Sequence, residues 1–183
     1  MPFYKPDRLP SLMVAPNGAR KIKKDHPAVP LTIKETVETA KACYSAGAGA
    51  IHLHVRDENG QHVLDAGLYI EALRELENQV PKMHIQVTTE AVGKYTPDDM
   101  RKLAYDVVPP GASIGIAELI PSRKPENEDV KLYKYLTEAG TKIQHILYKP
   151  DDIDLLIDLL NKSNIPIENS WIASRLPVSA FTN

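Results

Sequence analysis

One cysteine, Cys43, occurs among the 183 residues, so no intrachain disulfide can staple the fold, and a reducing, cytoplasmic setting is expected. There is no apolar run near the start of the length that a signal core or a membrane span requires, which leaves the membrane out of the expected partners. Neither sign of charge dominates: 22 basic residues against 24 acidic ones give a formal charge of -2 and an isoelectric point near 6.3. Without a basic field the chain has no means of gathering phosphates, so nucleic acid and acidic lipid surfaces are excluded and a small molecule is the expected ligand. The sequence also lacks a nucleophile elbow, a P-loop and a Cys-x-x-Cys pair, which removes several enzyme classes. What is present is ordinary for a globular chain, 43% hydrophobic and 25% charged residues, enough for one sizeable core and one domain over residues 1–183.

The 15 prolines stand singly where strands and helices would begin or end. Ser11 to Ala15 is short and apolar, stops at Pro16-Asn17-Gly18, and is expected as a first buried strand. Thr32 with Glu35 forms a capping box for a helix carrying Ile33, Val37, Ala40 and Tyr44 on one side and closed by Gly47. Ala50 to Val55 is the second strand. An Asn59-Gly60 turn and a helix from about Asp65 to Gln79 come next, with Tyr69, Ala72, Leu73 and Leu76 as its buried stripe. Met83 to Thr89 is the third strand, Thr96-Pro97-Asp98-Asp99 opens a helix to about Ala104, and Ala112 to Ala117 is the fourth strand. A helix from about Glu126 to Ala139 leads to a strand over Thr141 to Tyr148. Pro150 then starts a helix expected to bury Ile153, Leu156, Ile157 and Leu160, and Trp171 to Ala173 is the sixth strand. Alternating strands and helices imply an α/β fold with a parallel sheet. The turn Pro16-Asn17-Gly18-Ala19-Arg20 is not the glycine-rich phosphate loop of an open doubly wound sheet, so the expected fold is the (β/α)₈ TIM barrel, with about six of its eight units in this chain. Such a piece would leave unpaired strand edges, and association with further copies, a homo-oligomer, is expected to cover them.

His52 and His54 lie two apart on a strand, so their imidazoles share one face, and at the carboxyl end of a barrel strand that face is the active-site mouth. Two neutral imidazoles there suit zinc or another transition metal of similar softness; the alternative is a pair of ordinary strand histidines. Zinc normally takes three protein ligands in a catalytic site. Of the other histidines, His26, His84 and His145 are expected to be structural and His62, after a turn, to be solvated, whereas Glu118 just beyond the fourth strand is expected either to face the mouth or to serve as a surface charge or helix-cap partner. Thr88 and Thr89 close the third strand and Ser113 lies in the fourth, where hydroxyls can donate to a substrate carboxylate. Arg56 and Asp57 are expected to form an ion pair that orients the strand end, with anion binding by Arg56 as the alternative, and Arg20 on the first loop is a further candidate carboxylate binder.

The stretch Val14-Ala15-Pro16-Asn17-Gly18-Ala19-Arg20, then His26-Pro27-Ala28-Val29-Pro30-Leu31-Thr32, then Ala46-Gly47-Ala48 leading to His52-Leu53-His54-Val55-Arg56-Asp57, resembles the β-keto acid cleavage enzymes, whose founding activity is 3-keto-5-aminohexanoate cleavage. Ile85-Gln86-Val87-Thr88-Thr89 and Gln144-His145-Ile146-Leu147-Tyr148 are similar to it as well. The resemblance implies a Zn²⁺-dependent barrel that converts a β-keto acid and acetyl-CoA into acetoacetate and a new CoA thioester. It implies that His52 and His54 are metal ligands, with the metal a Lewis acid toward the keto acid. It further implies that Thr88 and Ser113 orient the substrate and that Arg20, standing where the founding type has a glutamate, selects a neutral or acidic side chain over an amine. Glu90 replaces a glycine beside the carboxylate site. The family's third zinc ligand, acidic base and an arginine belong to its last strands and are expected beyond Asn183. Two further readings stay open: a catalytically silent metal-binding or assembly protein of this fold, and another metal-dependent barrel lyase.

Overall fold

The computed structural model describes residues 3–6, 8, 10–165 and 170–174. In chain order its elements are β1 (Met13–Val14), α1 (Ile33–Ser45), β2 (Ala50–Leu53), α2 (Ala66–Gln79), β3 (His84–Thr88), α3 (Pro97–Val107), β4 (Gly111–Gly115), α4 (Ile116–Leu119), α5 (Asn127–Glu138), β5 (Lys142–Leu147), α6 (Asp151–Ser163) and β6 (Trp171–Ser174). Strands alternate with helices, and the α/β class with six parallel strands is the one expected. The chain divides into two compact units. One runs up to Thr88 and includes Pro109–Gly111; the other is Thr89–Val108 with the residues from Ala112 on.

In the first unit β1, β2 and β3 pair in chain order, all parallel, with Ala50 opposite His84 and His52 opposite Gln86. The helices begin where their caps dictate. The Thr32 hydroxyl accepts from the Glu35 amide, while the Glu35 carboxylate accepts from the amides of Leu31 and Thr32. Lys23 pairs with the same carboxylate at 2.7 Å. That ion pair first, and the two amide donors with it, hold the Glu35 carboxyl down at about 2. Asp65 caps α2 through the Leu68 amide at 2.8 Å, and the expected stripe of Tyr69, Ala72, Leu73 and Leu76 is buried. Each large side chain so buried contributes roughly 1.5–3 kcal/mol of transfer free energy. β4 enters beside β3 at Gly111, where a Cβ would come within 2.5 Å of the His84 ring and 3.2 Å of the Ile85 carbonyl, so no larger residue fits.

In the second unit Thr96 caps α3 with Pro97 in its first turn, as expected, and Arg101 reaches from α3 to the buried Asp129 of α5 at 2.7 Å. Parallel pairing joins β5 to β6, with His145 opposite Ile172. His145 is buried against α5, its ring stacked on Tyr133 at 5.5 Å and its Nδ1 3.1 Å from the Tyr133 hydroxyl. Burial lowers the His145 pKa to about 4 and raises that of Tyr133. Two expectations are corrected here. The chain past Gly115 is not strand but the short helix α4. On α6, Ile153 and Ile157 are 40% and 41% exposed, and Leu155, Leu156, Leu159 and Leu160 are the buried set. The cause is Asp152, which is wholly buried, accepts from the amides of Tyr148 and Lys149, and pairs with Arg123 at 2.9 Å. Turning that carboxylate inward sets the rotation of the helix, and positions three or four residues along are carried inside with it.

Candidate functional site

The alternation of β2 sends Ile51 and Leu53 into the core and leaves His52 half-buried, with His54 just beyond the strand and 3% exposed. The two rings stand edge to face with centroids 4.8 Å apart, so the spacing read from the sequence does bring them together. His52 is held from the neighbouring strand: its Nδ1 lies 2.6 Å from the Gln86 carboxamide oxygen. His54 is fixed through its backbone. The Asn17 side chain donates to the His54 carbonyl at 3.3 Å and to that of Pro30 at 3.0 Å, tying the loop after β1 to the end of β2.

His62 is not solvated as expected. An antiparallel bridge between Arg56 and His62 folds the chain back on itself, and the ring is buried 5.3 Å from that of His54. The Arg56–Asp57 pair is also corrected. The Arg56 guanidinium is turned under the first loop, donating to the carbonyls of Gly18 and of Ala19, the latter at 2.7 Å, and to Lys21 at 3.4 Å. Asp57 instead accepts from the amides of Asn59 and Gln61 and shapes the Asn59-Gly60 turn. Arg20 projects from the loop that Arg56 clamps and is exposed.

Thr88 ends β3 and is 1% exposed. In the second unit Thr89 donates through its hydroxyl and its amide to the Ser113 carbonyl, at 3.0 and 3.2 Å. Ser113 is 1% exposed, and its own hydroxyl has no partner among the described residues. A buried idle donor costs about 1–3 kcal/mol and is the kind of group a ligand acceptor satisfies. Glu118 lies on α4, with its carboxylate against Gly115, where a Cβ would come within 2.6 Å of it. His84 and His145 are buried in structural settings and His26 is exposed, accepting from the Ala28 amide. Among the described residues no group of three or more His, Cys, Asp or Glu comes together as a metal cluster. The histidine pair supplies two donors of the type zinc takes, with one ring held by a neighbour.

A model of the beta-keto acid cleavage enzyme family matches residues 11–174. The chain belongs to that family. Among curated relatives, a 3-keto-5-aminohexanoate cleavage enzyme of Acetoanaerobium sticklandii is 30% identical over 155 residues, covering 81% of this chain and 56% of the relative. A 3-oxoadipate:acetyl-CoA acetyltransferase of Cupriavidus necator is 35% identical over 78 residues, 43% of this chain and 28% of the relative. The chain thus spans about half the length of the first of these. Among solved structures, a binary complex of ObcA with oxaloacetate superposes with a TM-score of 0.61 at 17% identity, over 75% of this chain and 35% of that one, a likeness of fold. These curated relatives are named as a cleavage enzyme and an acetyl-CoA acetyltransferase. No described helix is long and apolar enough to cross a membrane.

Sequence reasoning missed Gln86, Asn17 and the loop clamp of Arg56. The first had a signal: a glutamine flanked by Ile85 and Val87 in the middle of a buried strand calls for a polar partner. The other two depend on where a loop returns, which local patterns do not encode.

Proposed function

We propose that this chain carries the two-histidine side of a zinc-dependent β-keto acid cleavage site, acting on a β-keto acid and acetyl-CoA to give acetoacetate and the CoA thioester of the remaining acyl group. The observation that carries the reading is the His52–His54 pair, edge to face at 4.8 Å, in a chain of this family. Zinc held there would supply Lewis-acid polarisation of the keto acid's carbonyl. The chain's own residues supply orientation. In the first unit Thr88 would orient the keto acid and Arg20 would favour a neutral or acidic side chain over an amine; in the second, Thr89 and the buried Ser113 hydroxyl are the candidate donors to a substrate carboxylate oxygen. The third zinc ligand and the base are expected from outside the described residues.

A second reading, a metal-binding or assembly protein without turnover, draws on the lack of a three-ligand cluster among the described residues. One experiment separates the two. The zinc-loaded protein in its full natural form, with whatever supplies the third ligand and the base, is given acetyl-CoA and a panel of β-keto acids, acetoacetate is measured, and metal content is compared with that of His52→Ala. Acetoacetate above the blank, with zinc near one per chain falling below about a tenth in the variant, is the expected result. Zinc-loaded protein that forms no acetoacetate across the panel leaves the silent reading standing.

A further inference from the structure

We infer that Gln86 is a positioning residue that sets which ring nitrogen of His52 faces a metal. The inference rests on the zinc reading above, but its central measurement does not.

The two residues are opposite partners on β2 and β3, so parallel pairing brings their side chains together without help from any loop. The carboxamide oxygen of Gln86 lies 2.6 Å from His52 Nδ1, a short hydrogen bond. An amide oxygen can only accept. Nδ1 is therefore the protonated nitrogen of the neutral imidazole, and the lone pair falls on Nε2. A histidine that can ligate must present a lone pair, and a second group gripping its other nitrogen fixes both the tautomer and the ring's rotation.

The burial of Gln86 points the same way. It is wholly buried in the middle of β3, and its carboxamide nitrogen has no partner among the described residues. A side chain chosen to fill space would have no polar atoms, and burying an amide with an idle donor is unfavourable. The contact of its oxygen with His52 is what the residue does there in return.

The test begins with the unmodified chain. Nitrogen-15 NMR of the metal-free protein at neutral pH, with the His52 signals identified by their loss in His52→Asn, should show a protonated Nδ1 and a bare Nε2. A proton on Nε2 overturns the inference, whatever the protein does with zinc. Zinc affinity is then measured by chelator competition for Gln86→Leu and Gln86→Glu, each checked for folding by circular dichroism. The leucine variant should bind zinc about 10–100-fold more weakly, and the glutamate variant, which keeps an acceptor toward Nδ1, should bind at least as tightly as the parent. Folded Gln86→Leu with parental affinity, or a loss in Gln86→Glu equal to that in Gln86→Leu, also overturns it. If the parent binds no zinc at all, the zinc reading falls and the NMR result alone decides the role of Gln86.

Discussion

Ser113 is a side chain whose polar atom is idle among the described residues of the fold. Its carbonyl is taken twice by Thr89, while its hydroxyl, 1% exposed, meets no described acceptor. Ser113→Ala removes a donor that contributes nothing to the fold, so the melting temperature should stay the same or rise slightly. If the hydroxyl donates to a substrate carboxylate, the same change should raise KM for the keto acid about tenfold or more, since hydrogen bonds to charged groups contribute roughly 1.5–3 kcal/mol. Calorimetry beside steady-state kinetics checks both halves. A melting temperature that falls by several degrees would give the hydroxyl a structural role instead. The residues legible in the sequence were those whose meaning is local: the two histidines share a face because strands alternate, and Thr32, Asp65 and Thr96 are caps because each stands one position before a helix-forming stretch. Arg56 and His62 were misread because their partners come from a loop far back in the chain and from a bridge that folds the segment over.

Between α5 and β5 the stacked pair of Tyr133 and His145 gives the second unit a definite response to acid. His145 titrates at about 4 when folded, against an ordinary 6.5, because burial disfavours its charged form. As pH falls through that interval the unfolded chain takes up a proton that the folded chain refuses, so stability is intact above 6.5 and is lost on the way down to about 4. The interval corresponds to roughly 3 kcal/mol. Urea unfolding at pH 7 and pH 4.5 should show a loss of this order in the parent that is absent from Tyr133→Phe/His145→Phe, in which both members of the pair are replaced together. Equal acid loss in both proteins would place the sensitivity elsewhere. Most element boundaries were legible to within a residue or two, since capping and proline chemistry act over one turn, but α3 runs to Val107, past the expected Ala104, and α4 was not foreseen. The phase of α6 was not. Its sequence offers two overlapping apolar stripes, and the choice between them is made by the buried Asp152 and its partner Arg123, 29 positions away.

At the scale of the whole molecule, strand-helix alternation is the most legible property of all, because six repeats of the same pattern outweigh any one misplaced boundary. The expected homo-oligomer has physical support in apolar side chains left outside: Leu12 beside β1 is 53% exposed, Ile172 on β6 is 48%, and Ile153 and Ile157 add to them. Light scattering should therefore report a mass above the 20.3 kDa of one chain, and a monomer at tens of micromolar would remove the expectation. One consequence concerns how such a protein can change. Arg56 holds the loop from Gly18 to Lys21 by main-chain carbonyls, which every amino acid possesses, so this grip does not depend on which side chain stands at position 20. A position whose backbone is set from outside can be rewritten one residue at a time, offering new charges to new acids while the scaffold beneath is left as it was.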